Sequence, residues 1–175
     1  ATDDVLLMKG DDGGFSGGYY EGSIYALDRH SGQKLWGING GFGRQQAEVD
    51  AGRQYVTIYS DYDPDKKKYV DRIRHLNLKN GKVTWTYTPK QNFRLNGITA
   101  AKNVVVVDNP VVESSSNSWL TVLDSANGKT LWTRKLATGY ELLNKSADDP
   151  YVLYWEKNKL VAADPRTGRT VWSLK

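Results

Sequence analysis

The sequence predicts an all-β fold assembled from four copies of one antiparallel unit, and three observations predict it. The first is a short pattern in which an acid or amide is followed four residues on by Gly and four residues later by Trp. It occurs at Asp28-Gly32-Trp36, Asn77-Gly81-Trp85, Asp124-Gly128-Trp132 and Asp164-Gly168-Trp172. The second is its period: the tryptophans are 49, 47 and 40 residues apart, close to the ~40–45 residues of a four-stranded propeller blade. The third is that no segment of useful length carries the 3.6-residue period of a helix.

Within each unit the chemistry is that of a hairpin. In the last copy the apolar strand ends at Asp164, the chain turns at Gly168, and β-branched and aromatic residues resume toward Trp172. Asp164 and Thr167 can hydrogen-bond turn N–H groups, and Gly168 supplies the positive φ of a type I turn plus bulge. A second strand-like run precedes each hairpin: Val5–Met8, Tyr55–Tyr59, Val104–Val107 and Tyr151–Trp155. Before the last three runs comes a weaker segment, near Ala47–Gly52, Gly97–Lys102 and Leu143–Asp148, expected to be an innermost strand. The first unit has none. The expected blades are therefore residues 1–38, 45–88, 95–136 and 142–175 of one all-β β-propeller domain or fragment spanning 1–175, the first blade lacking its inner strand. The connections at 10–23, 60–71 and 108–118 read as long loops on one face, and the fourth blade as turning tightly at Lys157-Asn158.

The repeated unit resembles the tryptophan-docking motif of the PQQ-like β-propeller repeat family, Ala-x-Asp-x-x-Thr-Gly-Lys-x-x-Trp. Ala162, Asp164, Thr167, Gly168 and Trp172 match it, as do Ala26, Asp28, Gly32 and Trp36, and Asp124, Gly128, Lys129 and Trp132. The second copy is the most divergent, with His75 and Asn77 in place of Ala and Asp. The resemblance implies that each Trp packs on the motif glycine of the next blade: Trp36 on Gly81, Trp85 on Gly128, Trp132 on Gly168. Trp172 would need Gly32 through ring closure, a second chain or further blades. Propellers of this family commonly have seven or eight blades, so a piece of a larger propeller, or two copies completing an eight-bladed ring, is preferred over a closed four-bladed monomer.

Composition narrows the function classes. The 175 residues carry a formal charge of +4 with both signs interspersed, and the one dense basic run is Lys66-Lys67-Lys68. Without a basic stripe or an aromatic-interleaved motif, nucleic acid is not an expected partner. There is no cysteine, which removes disulfides, thiolate nucleophiles and cysteine-ligated zinc. No apolar run approaches the ~20 residues that span a bilayer, and the first residues lack a signal-peptide pattern, so a soluble mature domain or fragment is expected.

Candidate sites lie in the long connections, since loops on a rigid scaffold are where binding usually resides. Carboxylates at Asp61, Asp63 and Asp65, with Asp71 further on, resemble the start of a calcium loop. Lys66 stands where such a loop needs glycine and Arg72 where it needs the closing glutamate, so a solvated hairpin loop is preferred and calcium is the alternative. The Gly-rich stretch 13–20 has no P-loop lysine; its Tyr19 and Tyr20 could stack on a glycan or peptide. Phe42 with Arg44, and Phe93 with Arg94, precede inner strands and could meet an anionic ligand at the channel mouth. His30 falls in a turn and His75 on a strand, and neither accompanies a nucleophile motif.

The expected function is a non-catalytic binding or scaffold module, recognising a protein, peptide or glycan through its long-loop face. The first alternative is a fragment of a PQQ- and calcium-dependent quinoprotein dehydrogenase; the adjacent cysteine pair that such enzymes often carry beside the cofactor is missing here, and no PQQ is expected. A structural spacer of a cell-surface protein is the second. Resemblance alone implies an extracytoplasmic location.

Overall fold

A computed structural model describes residues 3–11, 22–38, 45–63, 68–89, 96–110, 118–137 and 139–175. All regular structure among them is β, and no helix there is long and apolar enough to cross a membrane. Four antiparallel sheets follow one another along the chain. The first has three strands, β1 (Val5–Asp11), β2 (Gly22–Asp28) and β3 (Lys34–Ile38). The second has four: β4 (Gln45–Val49), β5 (Tyr55–Asp63), β6 (Lys68–Asn77) and β7 (Val83–Tyr87). The third runs β8 (Gly97–Ala101), β9 (Val104–Pro110), β10 (Ser118–Asp124) and β11 (Thr130–Leu136). The fourth is β12 (Glu141–Leu142), β13 (Val152–Glu156), β14 (Lys159–Ala163) and β15 (Thr170–Leu174). Each sheet is ordered as in the sequence, the pattern of a propeller blade, and the first lacks an inner strand as expected. The chain divides into two compact units, residues 1–47 with 52–88, and 48–51 with 89–175.

The four motif hairpins are built alike. The Gly N–H donates to the carbonyl of the acid or amide four residues earlier (Gly32 to Asp28, Gly81 to Asn77, Gly128 to Asp124, Gly168 to Asp164), each at 2.8–2.9 Å. All four glycines have φ near +70°, a conformation with little steric cost only for glycine. A register shift falls at Ala26/Leu27, His75/Leu76, Val122/Leu123 and Ala162/Ala163, which is the bulge that such a turn requires.

Two expectations are corrected. Residues 60–71 are not an open loop: β5 and β6 continue to Asp63 and from Lys68, pairing Tyr62 with Tyr69 and Asp63 with Lys68 across a shift at Ser60/Tyr62. Tyr and Val are strand formers, and the spacing of two between Asp61 and Asp63 is the period of a strand. The fourth inner strand is Glu141–Leu142, not Leu143–Asp148. Asn144 interrupts the ladder, its Oδ1 accepting from Leu153 N (2.9 Å) and its Nδ2 donating to Tyr151 O (2.8 Å). Asp149 then gathers the N–H groups of Lys145 and Ser146 into a turn before Pro150. The tight turn is where it was expected, with Lys157 and Asn158 both at positive φ and Glu156 paired with Lys159, as a two-residue hairpin of type I′ demands.

In the second unit the core lies between the third and fourth sheets. Val104, Val106, Leu120, Val122 and Leu136 meet Val152, Tyr154, Val161 and Ala163. Over its edge Trp132 docks on Gly168: a Cβ there would lie 2.8 Å from Trp132 Cδ2, and the indole Nε1–H donates to Pro165 O at 2.8 Å. The first unit repeats this with Trp36, whose Cγ would lie 2.6 Å from a Cβ on Gly81 and whose Nε1–H donates to Leu78 O at 2.7 Å. Gly168→Ala should therefore destabilise more than Gly139→Ala, because both glycines have positive φ but only Gly168 is covered. Backbone strain common to both costs about 1–2 kcal/mol, and displacing the indole adds about 1–3 kcal/mol. Trp132→Ala should cost about 3–5 kcal/mol. Chemical denaturation measures all three, and equal losses for the two glycine variants would refute the docking.

Candidate functional site

The acid and amide residues of the motif are engaged in their own turns. Asp28 Oδ1 accepts from the N–H groups of Ser31 (2.7 Å) and His30 (3.0 Å) and from Ser31 Oγ (2.9 Å). Asp164 does the same with Thr167 N (2.7 Å), Thr167 Oγ1 (2.8 Å) and Arg166 N (3.1 Å). The Ser31 N–H, then its hydroxyl, hold Asp28 below the ordinary carboxylate range, and the Thr167 hydroxyl, then its N–H, do so for Asp164. Asn77 keeps the turn by accepting from Lys79 and Asn80 N–H. His75, where the other copies have a small residue or valine, is buried and stacks between Tyr55 and Trp85 at 5.1 and 4.9 Å. Its Nδ1 shares a 3.0 Å hydrogen bond with Thr57 Oγ1. Arg134 clamps the third blade to the fourth, donating to Tyr154 Oη and Gly168 O, with its guanidinium over the Trp132 and Tyr154 rings. Arg166 adds a 3.0 Å ion pair to Asp124.

A different population of side chains lies where the long connections enter the sheets. Gln45, the first residue of β4, is buried, and neither Oε1 nor Nε2 has a hydrogen-bond partner among the described residues. Near the end of β9, buried Asn109 donates to Thr121 Oγ1 at 2.7 Å while its Oδ1 accepts nothing. Beside it Asp108 accepts from Asn96 Nδ2 at 2.9 Å through Oδ2, and its buried Oδ1 is without a partner. Burial pushes the Asp108 carboxyl up, and the Asn96 bond pulls it partly back. Buried polar atoms without partners are rare in native folds and call for a physical explanation. These groups lie at the loop ends of their strands and could accept hydrogen bonds from a ligand, with Gln45 able to donate as well.

Of the residues singled out in the sequence, Tyr19, Tyr20, Phe42, Arg44, Phe93, Arg94 and Asp65 lie outside the described residues. Asp61 and Asp63 are on β5, and Asp71 on β6, where its Oδ1 accepts from Tyr59 Oη at 3.2 Å. Among the described residues no three His, Asp or Glu side chains gather as a metal would need. Gln45, Asn96, Asp108 and Asn109 were missed in the sequence. Their signal was a polar pair following four valines, which was read as the start of a loop.

Comparison with known proteins decides the family. The family model described as outer membrane protein assembly factor BamB matches residues 20–175. The chain belongs to this BamB family. The solved BamB of Moraxella catarrhalis superposes with a TM-score of 0.51 at 19% identity, over 95% of this chain and 46% of that one. A quinohemoprotein alcohol dehydrogenase from Pseudomonas putida gives 0.58 at 17%, over 99% of this chain and 33% of the other. Among curated proteins, the dehydrogenase subunits of quinone-dependent alcohol dehydrogenases from Gluconacetobacter polyoxogenes and Komagataeibacter europaeus are each 24% identical over 131 residues. That alignment takes in 69% of this chain but 17% of each relative, so this BamB-family chain spans a small part of the curated proteins it matches.

The polar groups have opposite pH signatures. Asp28 and Asp164, with lowered values, stabilise the fold above the unfolded aspartate pKa, and that stability is lost as pH falls through their folded values. Asp108 is raised above 3.8, so it favours the fold when neutral and that advantage is lost as pH rises through its folded value. Asp108→Asn should therefore raise the urea midpoint near neutral pH. The gain should shrink as pH falls toward and below 3.8, and a gain independent of pH would contradict the burial of the charge.

Proposed function

We propose that this chain is a non-catalytic binding module whose long-loop face takes a peptide or an extended segment of another protein. The observation that carries the reading is the pair of buried side-chain oxygens left without partners near the loop end of β9, Asp108 Oδ1 and Asn109 Oδ1. An extended peptide offers backbone N–H donors, which these two oxygens are equipped to accept. The family description of an outer membrane protein assembly factor supports a protein partner and an extracytoplasmic place of work. Glycan is the other ligand that could use the same acceptors.

A dehydrogenase fragment is the second reading, favoured by the curated quinone-dependent relatives. Titrating PQQ with calcium and following its absorbance separates the two, because saturable one-to-one binding would overturn the first. Arrays of tiled peptides and of glycans then give the ligand class. Asp108→Leu and Asn109→Leu should each weaken binding of a selected peptide about threefold or more, since a lost buried hydrogen bond is worth about 0.5–1.5 kcal/mol. Asp108→Leu should leave thermal stability near neutral pH unchanged or raised, because it deletes an oxygen that the fold leaves unpaired, whereas Asn109→Leu should lower it by about 0.5–1.5 kcal/mol, because its Nδ2 donates to buried Thr121 Oγ1. Binding unaffected by both variants would sink the assignment of this face.

A further inference from the structure

The third and fourth blades show how one blade of this chain covers the next, and the fourth blade presents the same face again. In register, Trp132 stands opposite Val122 and Trp172 opposite Ala162; Arg134 stands opposite Leu120 and Leu174 opposite Leu160. Val104 and Val106 of the covered face have their counterparts in Tyr151 and Leu153. Yet Trp172 is 36% exposed, Trp155 38% and Leu174 60%. Tyr151 meets Trp172 edge-on at 6.1 Å, holding the indole out over the face.

The first blade presents the complementary surface. Leu6 pairs with Leu27 and Met8 with Tyr25 on one side of β1 and β2, the positions at which the fourth blade offers Val152, Tyr154, Val161 and Ala163 to the third. Met8 is 49% exposed. The hairpin at Gly32 is fully formed, with the Asp28 acceptor bonds that Asp164 makes in the occupied one. No described heavy atom lies within 4 Å of where a Cβ on Gly32 would be, whereas Gly81 and Gly168 each have an indole there.

We propose that these two faces bind each other between copies of this chain, head to tail, with Trp172 of one copy over Gly32 of the next. The indole N–H would donate to the Arg29 carbonyl, the counterpart of Leu78 O and Pro165 O under Trp36 and Trp132. The Asp124–Arg166 ion pair has its counterpart in Asp164 against the Arg29–His30 turn of the second copy, so charge as well as shape is matched. Leu174 replaces the clamp residue Arg134 and would meet Met8 where Arg134 meets Tyr154, which makes the contact between copies more apolar than the one within a chain. A heterologous contact of this kind closes when the rotation allows and otherwise extends.

Light scattering on a size-exclusion column, across about a hundredfold range of concentration, tests it. The expected mass is twice the 19.6 kDa of one chain. Trp172→Ala should raise the dissociation constant about thirtyfold or more, as loss of a central interface tryptophan does, with the circular dichroism of the fold unchanged. Leu174→Glu and Met8→Lys should each dissociate the pair, and the double variant should restore it, because each contact would then hold opposite charges. A monomer at every concentration, or a dimer indifferent to Trp172→Ala and to the Leu174 and Met8 variants, would overturn the proposal.

Discussion

The plane of an indole resting on a glycine is the contact on which each unit depends. Trp132 lies so close over Gly168, and Trp36 over Gly81, that a single Cβ would intrude to within 3 Å. That closeness works only at a backbone position without a side chain, and the same glycine must also hold φ near +70° to close its hairpin. One residue thus satisfies a turn and a packing constraint together. The acid four residues earlier fixes the turn, the turn presents the glycine, and the indole N–H reaches a carbonyl of the same hairpin. Within each unit the packing of one blade on the next follows from this chain of local requirements, with the apolar faces supplying most of the buried area.

This is also why so much of the fold could be read from the sequence. Asp, Gly and Trp at fixed spacing are each hard to replace in that geometry, so their recurrence located all four hairpins, and the resemblance to the family's motif implied the docking of Trp36 and Trp132. Even the second copy, with His75 and Asn77, kept its turn because an amide oxygen accepts the same N–H bonds as a carboxylate. What was not legible depends on neighbours rather than on local pattern. The hairpin of β5 and β6 runs on to the Tyr62–Tyr69 and Asp63–Lys68 pairs, a cross-strand register which one strand alone does not reveal. Leu143–Asp148 stands where the other units place an inner strand, but Asn144 and Asp149 compete for the backbone with their side chains.

The candidate site was hidden for a related reason. Asp108 and Asn109 end a run of four valines, where polarity ordinarily signals a loop; the strand instead continues to Pro110 and carries both residues inside. Their unpartnered oxygens set the loop end of β9 apart from the hairpin ends of the third and fourth sheets, where Asp124 and Asp164 are satisfied. Positions that break the local rule without an evident structural return are where function is expected in a protein.

The account stands most directly on the indole hydrogen bonds, and hydrogen exchange of the tryptophan Nε1–H groups followed by NMR reads them one by one. Trp36 and Trp132 should exchange far more slowly than a free tryptophan side chain, because their N–H groups donate to Leu78 O and Pro165 O beneath the docked rings. Exchange at the free rate for these two indoles under native conditions would contradict the docking that joins the blades within each unit.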